Sequence, residues 1–258
     1  MGYQGFDLTG RIAVVVGGTS GIGQTIARGL AEAGANVIPT GRRADMVDAA
    51  AKEIEALGRQ SLRLSSDVLD RSSLQALLQA SVAKFGKVDI LVNAAGRTKR
   101  TPFLDLQESE WNEIMETNLT GAYRVSQVFG RHMVERNYGR IINIASLASF
   151  VGLFEVAAYG ASKSGLASLT RTLAIEWARY GVCVNAIAPG VFRTAMNEKL
   201  LDGTPRGQEF LMRTPMRRYG KVEELVGSAI FLASEAASFV TGTVLQVDGG
   251  FLASGVNQ

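Results

Sequence analysis

Short apolar runs alternate with longer amphipathic stretches along nearly the whole chain, and no other feature of the sequence constrains the fold as strongly. Several runs are apolar throughout, which is typical of strands buried on both faces of a sheet. The runs are Ile12–Val16, Asn36–Pro39, Ser61–Leu64, Ile90–Val92, Arg140–Ile144, Val182–Ile187 and Thr243–Val247. The pattern predicts a buried strand at each of these positions.

The stretches between these runs have helical periodicity. They are Gly23–Ala33, Ala44–Ala56, Ser72–Phe85, Glu108–Arg136, Tyr159–Arg179 and Val222–Ala233. Strands that alternate with helices imply right-handed βαβ units, so we predict an α/β fold of the Rossmann type, with a doubly wound parallel sheet of about seven strands and helices on both faces. Ligands bind outside the carboxyl ends of the strands in such folds, so functional motifs should directly follow the apolar runs.

Composition indicates one globular domain and excludes several classes of protein. The chain has 258 residues, of which 47% are hydrophobic and 20% charged, so it can bury a large core and is not disordered. We therefore expect residues 1–258 to form a single domain. Basic residues number 27 against 24 acidic ones, and the two signs are mixed along the chain, which does not favour nucleic-acid binding.

The single cysteine and the absence of long apolar segments bear on location. Cys183 alone cannot form an intramolecular disulfide, which fits a reducing compartment. No apolar stretch approaches the length of about 18 residues that a transmembrane helix needs, and Met1 to Gly10 lacks the features of a secretory signal. We expect a cytoplasmic protein without membrane association. His132 is the only histidine and no metal-ligand spacing is present, so no metal is expected.

A glycine-rich turn follows the first apolar run and opens the first helix. Its residues are Gly17, Gly18, Thr19, Ser20, Gly21, Ile22 and Gly23. Glycines at a strand-to-helix turn let a phosphate approach the backbone, and the helix N-terminus supplies free N–H groups and a positive dipole. The spacing differs from the usual G-x-G-x-x-G, so the alternative is a tight turn that binds no ligand.

The second predicted strand is followed by Thr40, Gly41, Arg42 and Arg43, with no acidic residue. An acid at this place in dinucleotide folds binds the adenosine ribose hydroxyls, whereas an arginine accommodates a 2′-phosphate. The sequence therefore favours NADP(H) over NAD(H), with Arg42 as the main contact and Arg43 and Thr40 assisting. The alternative is that both arginines begin a solvated helix.

The third and fourth predicted strands are followed by further residues suited to a dinucleotide. Asp67, next to Val68, can accept a hydrogen bond from the adenine amino group, although capping of the next helix is an equal alternative. After the fourth strand come the residues Asn93, Ala94, Ala95 and Gly96. Their small side chains allow a flat ligand to lie against the backbone.

Three segments later in the chain suggest acid–base chemistry. Tyr159 and Lys163 are spaced i, i+4 on a predicted helix and share one face, so a nearby ammonium can lower the pKa of the phenol. Ser146 follows the strand Arg140–Ile144 and can hold a substrate oxygen. Asn118 lies inside a long predicted helix, where asparagine is a poor helix former, so it marks a kink, a water site or an exposed position.

Taken together and in this order, these motifs resemble the short-chain dehydrogenase/reductase family over about residues 8 to 251. The resemblance rests on Gly17-x-x-x-Gly21-Ile22-Gly23, Asn93-Ala94-Ala95-Gly96, Asn118, Ser146, Tyr159-x-x-x-Lys163 and Pro189-Gly190. It departs from the family at Val16, where a threonine is usual, and at Ala94, where a second asparagine is usual. Neither departure touches the four catalytic positions.

The resemblance implies a role for each motif. Tyr159 is the general acid/base, Lys163 lowers its pKa and holds the nicotinamide ribose, Ser146 polarises the carbonyl and Asn118 positions a water in the proton relay. The resemblance also implies a nicotinamide site and a substrate lid around 192–218; the residues lining the nicotinamide are Pro189, Gly190, Val191 and Thr194. The family-like ending Val247-Asp248-Gly249-Gly250 implies a homotetramer.

The segment after Gly96 narrows the expected substrate. It resembles gluconate 5-dehydrogenases and related keto-deoxy-sugar-acid dehydrogenases, and Arg97, Lys99 and Arg100 would suit the carboxylate of a sugar acid. The alternatives are solvated residues or a tetramer contact. Two alternatives remain. One is a 3-oxoacyl-(acyl carrier protein) reductase. The other is a dinucleotide-binding regulator without catalysis, which is disfavoured because all four catalytic positions of the family are present.

Overall fold

One parallel sheet forms the centre of the protein in a computed structural model, which describes residues 3–193 and 197–255. Within these ranges the strands are β1 (Ile12–Val16), β2 (Asn36–Thr40), β3 (Ile90–Asn93), β4 (Gly139–Ile144), β5 (Val182–Pro189) and β6 (Val244–Val247). They lie in the order β2-β1-β3-β4-β5-β6. The chain runs outward from β1 to β2 and then crosses to β3 on the other side of β1, so ligands are expected in the crevice between β1 and β3.

Helices cover both faces of the sheet, as the sequence predicts. Their bounds are α1 (Gly21–Glu32), α2 (Ala44–Ala56), α3 (Arg71–Phe85), α4 (Glu108–Met115), α5 (Gly121–Glu135), α6 (Ala157–Trp177), α7 (Glu198–Leu201), α8 (Pro205–Arg213) and α9 (Val226–Ala233). Alternate residues of β1 divide the core: Ala13 and Val15 pack with α1 and α9, whereas Val14 packs with α3, α5 and α6. This two-faced burial explains why the strands are apolar throughout.

The prediction of a strand at Ser61–Leu64 is wrong, and the described sheet has six strands instead of about seven. The segment does lie beside β2, because the Val37 N–H donates to the Gln60 carbonyl at 3.2 Å. The next backbone nitrogen of β2 on that side belongs to Pro39, which has no hydrogen to donate. A regular ladder therefore stops after one bond, and the Thr40 hydroxyl bonds to the Leu64 carbonyl at 2.7 Å instead.

Two of the predicted helices are interrupted in the structure. The stretch 108–136 is divided by a π-helical turn over Glu116–Thr120, which separates α4 from α5. The stretch 222–233 begins as a 3-10 turn over Val222–Leu225 and continues as α9. Over the described ranges, no helix has the length and apolar character that crossing a bilayer would need.

Candidate active site

The loop between β1 and α1 brings backbone against backbone at the switch point. Gly17 has a φ of +80°, and a Cβ built on it would lie 2.6 Å from the Ala95 nitrogen. A Cβ on Gly23 would collide with the Gly17 carbonyl. Both positions therefore require glycine, and the turn lies directly beside the segment that follows β3.

The first turn of α1 offers donors that no side chain caps. Ser20 precedes the helix with extended backbone, and its hydroxyl makes no capping bond to the N–H groups of Gly21, Ile22 or Gly23. Thr19 is buried, and its hydroxyl lies 3.0 Å from where a Cβ on Gly41 would stand. Free N–H groups at a helix N-terminus, approached by glycine backbone, form a site suited to a phosphate.

At the end of β2, the side chain of Thr40 is buried, whereas those of Arg42 and Arg43 are exposed. Thr40 is fully buried, its hydroxyl bonds within the core to Leu64 and Ser66, and its carbonyl accepts the N–H groups of Gly17 and Gly18. Arg42 and Arg43 are exposed, and among the described residues neither side chain has a hydrogen bond or an ion pair. Thr40 therefore shapes the loop through its backbone, whereas the guanidinium groups remain available to an anion.

The residues after the Ser61–Leu64 segment resolve the two readings of Asp67. The cap of α3 is Asp70, whose carboxylate accepts the Ser72 N–H at 2.8 Å. Asp67 instead accepts the Leu69 N–H at 3.0 Å and remains partly exposed. Helix capping therefore does not account for Asp67. Val68 is buried and packs where Gly121 leaves room for it.

The end of β3 contains a buried polar atom that has no partner among the described residues. The Asn93 amide nitrogen donates to Asn143 at 2.7 Å and to the Ser126 hydroxyl at 3.1 Å. Its carbonyl oxygen is buried and has no hydrogen-bond partner. A Cβ on Gly96 would stand 3.4 Å from Asn118 Oδ1 and 3.6 Å from Lys163 Nζ. The segment after β3 therefore connects the glycine-rich loop with the predicted catalytic residues.

The π-helical turn explains how an asparagine in a long helix becomes part of the site. Asn118 is fully buried, and its amide nitrogen donates to the Arg97 carbonyl at 2.9 Å and to the Ser162 hydroxyl at 3.0 Å. Its amide oxygen accepts the Arg97 N–H at 2.8 Å. Of the three possibilities for Asn118, an irregular helix is the one seen, and an exposed position is wrong because the side chain is fully buried. π-helical turns occur frequently at functional sites.

Ser146 and Tyr159 meet at the carboxyl end of β4. Ser146 begins a 3-10 turn over Leu147–Ser149, and its hydroxyl accepts the Ala148 N–H at 3.1 Å. The same hydroxyl is hydrogen-bonded to the phenol of Tyr159. Tyr159 lies in the first turn of α6 and is partly exposed, so the two oxygens share one opening to solvent.

The electrostatics of this pair differ from the sequence expectation. Burial raises the pKa of Tyr159, and the hydrogen bond from Ser146 opposes this only in part. Burial also lowers the pKa of Lys163 to about 8. Lys163 Nζ lies 5.7 Å from the centre of the Tyr159 ring and donates to the Ile144 carbonyl at 2.6 Å. In this arrangement the pKa of the phenol is therefore raised instead of lowered as expected, because burial of the phenol is the largest influence on it.

The predicted nicotinamide side follows β5. Pro189 ends that strand, and a Cβ on Gly190 would lie 2.6 Å from the Asp248 Cα, so Gly190 is held against the end of β6. The Val191 carbonyl accepts the Gly220 N–H at 2.9 Å. Thr194 lies outside the described residues. The predicted lid at 192–218 contains α7 and α8.

The three cations proposed for substrate binding have different partners. Arg97 is paired with Glu113, and Lys99 with Glu110 at 2.5 Å, so both are directed toward α4. Arg100 is instead paired with Glu155 at 2.5 Å, on the loop between Ser146 and Tyr159. These acids, and the Ser162 hydroxyl that holds Asn118, were missed from the sequence. For the two acids of α4, their closeness in sequence to the basic segment could have indicated the ion pairs.

These features fit a dinucleotide phosphate better than a metal. A backbone cradle that a Cβ would fill and an uncapped helix N-terminus lie together at the switch point, and both present N–H donors or open backbone to an anion. In the described part of the chain, no three His, Cys, Asp or Glu side chains are close enough to hold a metal ion.

Comparisons with known proteins place the chain among oxidoreductases. Residues 16–252 match the family model described as enoyl-(acyl carrier protein) reductase. Gluconate 5-dehydrogenase of Gluconobacter oxydans is 40% identical, over 96% of this chain and 97% of that protein. The 2-dehydro-3-deoxy-D-gluconate 5-dehydrogenase of Bacillus subtilis is 42% identical, over 98% of this chain and 99% of that protein.

A solved structure is similar over the same length. The crystal structure of a gluconate 5-dehydrogenase from Burkholderia cenocepacia, in complex with NADP and tartrate, has a TM-score of 0.94 and 39% identity. The match covers 98% of this chain and 99% of that chain.

Proposed function

The chain belongs to the short-chain dehydrogenase/reductase family, and from this premise we propose that it interconverts a secondary alcohol and a ketone on a sugar acid with NADP(H). The observation that carries the proposal is the convergence of Asn118, Ser146, Tyr159 and Lys163 at the carboxyl edge, beside a phosphate cradle. The similar proteins named for gluconate-type substrates support the sugar acid.

Residues at three strand ends would hold the cofactor. The glycine-rich turn and the free N–H groups of α1 suit its pyrophosphate, Asp67 suits the adenine, and the segment Pro189–Val191 lies where the nicotinamide would stand. Arg42 and Arg43, exposed and without described partners, suit a 2′-phosphate and favour NADP(H). When bound, the cofactor supplies or accepts the hydride.

The side chains around the opening would manage the oxygen and its proton. The hydroxyls of Ser146 and Tyr159 hold the substrate oxygen, and in reduction the Tyr159 Oη proton passes to that oxygen. A phenol is protonated at neutral pH, as a general acid requires, but the raised pKa of Tyr159 opposes loss of that proton. Lys163, still a cation below its pKa of about 8, stabilises the phenolate that remains. Asn118 holds the backbone beside this relay and positions its water.

Arg100 is the cation that we assign to the substrate carboxylate. Arg97 and Lys99 are occupied by acids of α4 and would assist only by fixing the segment. Arg100 is also paired with an acid, but that acid, Glu155, lies on the loop that joins Ser146 to Tyr159, so Arg100 is the cation directed toward the proposed catalytic residues. A charge-assisted hydrogen bond contributes about 1.5–3 kcal/mol, so its loss should reduce kcat/KM about ten- to a hundredfold.

The variant Arg100→Ala tests this assignment. We expect kcat/KM to fall on a keto sugar acid and to change little on an uncharged ketone of similar size. Comparable losses on both substrates would make Arg100 a structural residue.

A 3-oxoacyl-(acyl carrier protein) reductase is the second candidate, because the matching family is named for a reductase of a related substrate, enoyl-(acyl carrier protein). The same basic residues would then face an acidic carrier protein. Higher activity on acetoacetyl thioesters than on any sugar acid would transfer the assignment to this candidate.

We also propose a cytoplasmic homotetramer. Ile175 on α6 is 82% exposed and Phe239 beside β6 is fully exposed, and contact with another copy of the chain would remove both side chains from water. Light scattering of the purified protein tests the assembly: four chains per particle are expected, and a monomer would contradict it.

A further inference from the structure

An arginine on α8 lies close to Arg100 and forms no ion pair with any acid in the described part of the chain. Arg206 donates from Nη1 to the Phe154 carbonyl at 3.2 Å. Its guanidinium lies over the Phe210 ring at 5.3 Å, and its buried Nε has no hydrogen-bond partner among the described residues. A buried guanidinium donor without an acceptor is costly, so such a group is expected to be completed by a ligand.

The surroundings of Arg206 place it next to the Arg100–Glu155 pair. Phe154, which it contacts, directly precedes Glu155. Burial lowers the pKa of Arg206, and the charge of Arg100 lowers it further, while Glu155 and Glu209 act in the opposite direction. Glu209 also has the Arg213 guanidinium at 3.7 Å. Two guanidinium groups, those of Arg100 and Arg206, therefore lie close to one carboxylate, that of Glu155.

The loop that carries Glu155 is fixed in an unusual conformation. Glu155 has a φ of +64°, a region that costs a residue with a side chain about 1–2 kcal/mol. Its carbonyl accepts the Thr101 N–H at 2.9 Å, which ties this loop to the segment of Arg100. The strained backbone holds a carboxylate where it meets Arg100, four residues before the catalytic Tyr159.

We propose that Arg206 is a specificity-determining residue that binds the substrate carboxylate together with Arg100, and that Glu155 is an internal carboxylate competing for the same cations. This proposal rests on the proposed function and adds to it the cation of α8 and the competitor. An arriving carboxylate binds the terminal nitrogens of the half-buried Arg206 guanidinium and shares Arg100 with Glu155. A neutral ketone finds no such partner and leaves the Arg100–Glu155 pair undisturbed.

Kinetics of Arg206→Ala, Arg206→Lys and Glu155→Gln test the proposal. Arg206→Ala should raise KM for a keto sugar acid about tenfold or more, with little change for an uncharged ketone of the same chain length. Arg206→Lys keeps the charge without the planar fork and should fall between. Glu155→Gln removes the competitor and should lower KM for the acid. A merely structural role would instead raise KM or lower kcat for both substrates in all three variants.

The control is Arg213→Ala, which removes the same charge from an exposed position of the same helix and should stay within about twofold of the wild type. Melting temperatures show whether each variant folds. Unchanged kinetics of folded Arg206→Ala on the acid would overturn the role of Arg206 alone. A wild type that prefers the uncharged ketone would overturn the proposed function, and this proposal with it.

Discussion

The two edges of the central sheet use their polar residues in different ways. At the amino edge, charges are paired with one another. Asp89 is fully buried before β3 and bonds to Lys87 at 2.8 Å, to Arg136 at 3.3 Å and to the Ile12 N–H at 3.0 Å. Two cations neutralise the buried carboxylate, so Asp89 leaves no unpaired charge that would attract a ligand.

A second cluster at the amino edge is equally complete. The Tyr138 ring lies between the guanidinium groups of Arg11 and Arg140, at 4.3 and 4.6 Å from its centre. Glu235 pairs with both arginines and accepts the Tyr138 hydroxyl at 2.8 Å. Every charge in this cluster has a partner of opposite sign.

The carboxyl edge leaves its polar groups incomplete. Among the described residues, buried Lys163 donates to the Ile144 carbonyl and has no carboxylate partner, the Asn93 side-chain oxygen has no hydrogen-bond partner, and Arg42 has no hydrogen bond or ion pair. At the carboxyl edge several polar groups lack partners, whereas at the amino edge they are paired. The difference indicates that the amino edge supplies stability, whereas the carboxyl edge keeps its groups for cofactor and substrate.

The same substitution at both edges should separate the two roles. Tyr159→Phe removes the proton donor, so turnover should fall about 10²–10⁴-fold while NADPH binding and the melting temperature stay the same. Tyr138→Phe should keep full turnover and lose about 1 kcal/mol of stability with the bond to Glu235. Turnover assays, NADPH fluorescence titration and thermal unfolding measure all three. A Tyr159→Phe enzyme with more than a tenth of the rate would remove Tyr159 from its role.

Asp89→Ala should damage the amino edge without changing the chemistry. Removing one partner of a buried ionic cluster costs about 3–5 kcal/mol. The control is Asp48→Ala, because Asp48 pairs with Lys52 and Arg63 on the surface and such pairs contribute about 0–1 kcal/mol. Urea unfolding should show the large loss only for Asp89→Ala, with kcat per folded molecule unchanged. A large fall in kcat would show that the edges are coupled.

Arg42→Ala should change cofactor choice alone. Losing a charge-assisted contact to the 2′-phosphate should raise KM for NADPH about ten- to a hundredfold and leave KM for NADH nearly unchanged. Arg28→Ala, an exposed arginine of α1 paired with Glu32, is the control. Equal use of both cofactors by the wild type, or a preference for NADH, would refute the role of Arg42.

Lys163→Met should abolish activity and slightly increase the free energy of unfolding. The pKa of Lys163 is about 8 when folded and 10.5 in the reference state, so between these values the unfolded chain binds more protons and wild-type stability rises with pH. Below about pH 8 the whole cost of the buried cation is present. The inactive variant lacks that cost and should be about 1–2 kcal/mol more stable at pH 7, after loss of the Ile144 bond.

Urea unfolding of wild type and Lys163→Met at pH 7 and pH 9.5 measures this effect. The advantage of the variant should shrink at the higher pH. A variant less stable than the wild type at pH 7 would show that the bond to Ile144 outweighs the burial of the charge.

The sequence predicted most of the fold because the buried strands are apolar on both faces. Helix α2 has the predicted bounds, Ala44–Ala56. The strand at Ser61–Leu64 failed because pairing depends on the neighbour as well as on the run itself, and Pro39 removes the donor that a second bond needs. The π-turn at Asn118 is accompanied by hydrogen bonds to Arg97 and Ser162, which are distant in the sequence and leave no local pattern.

The candidate site was predicted less completely than the fold. Motif spacing identified Tyr159 and Lys163, but the direction of their pKa shifts depends on burial, which no spacing records. The division of the basic segment also required the structure, since Lys99 and Arg100 are adjacent in sequence and pair with acids on different elements.

Substrate preference of the wild type tests the central claim most directly, because that claim is that the carboxyl edge reduces the ketone of a sugar acid. The measurement is kcat/KM with NADPH for a keto sugar acid such as 5-keto-D-gluconate, for an uncharged ketone of similar size and for an acetoacetyl thioester. We predict the highest value for the sugar acid, by about tenfold or more over the uncharged ketone, since a charge-assisted carboxylate contact contributes that much. A higher value for the acetoacetyl thioester, or equal values for acid and uncharged ketone, would contradict the account.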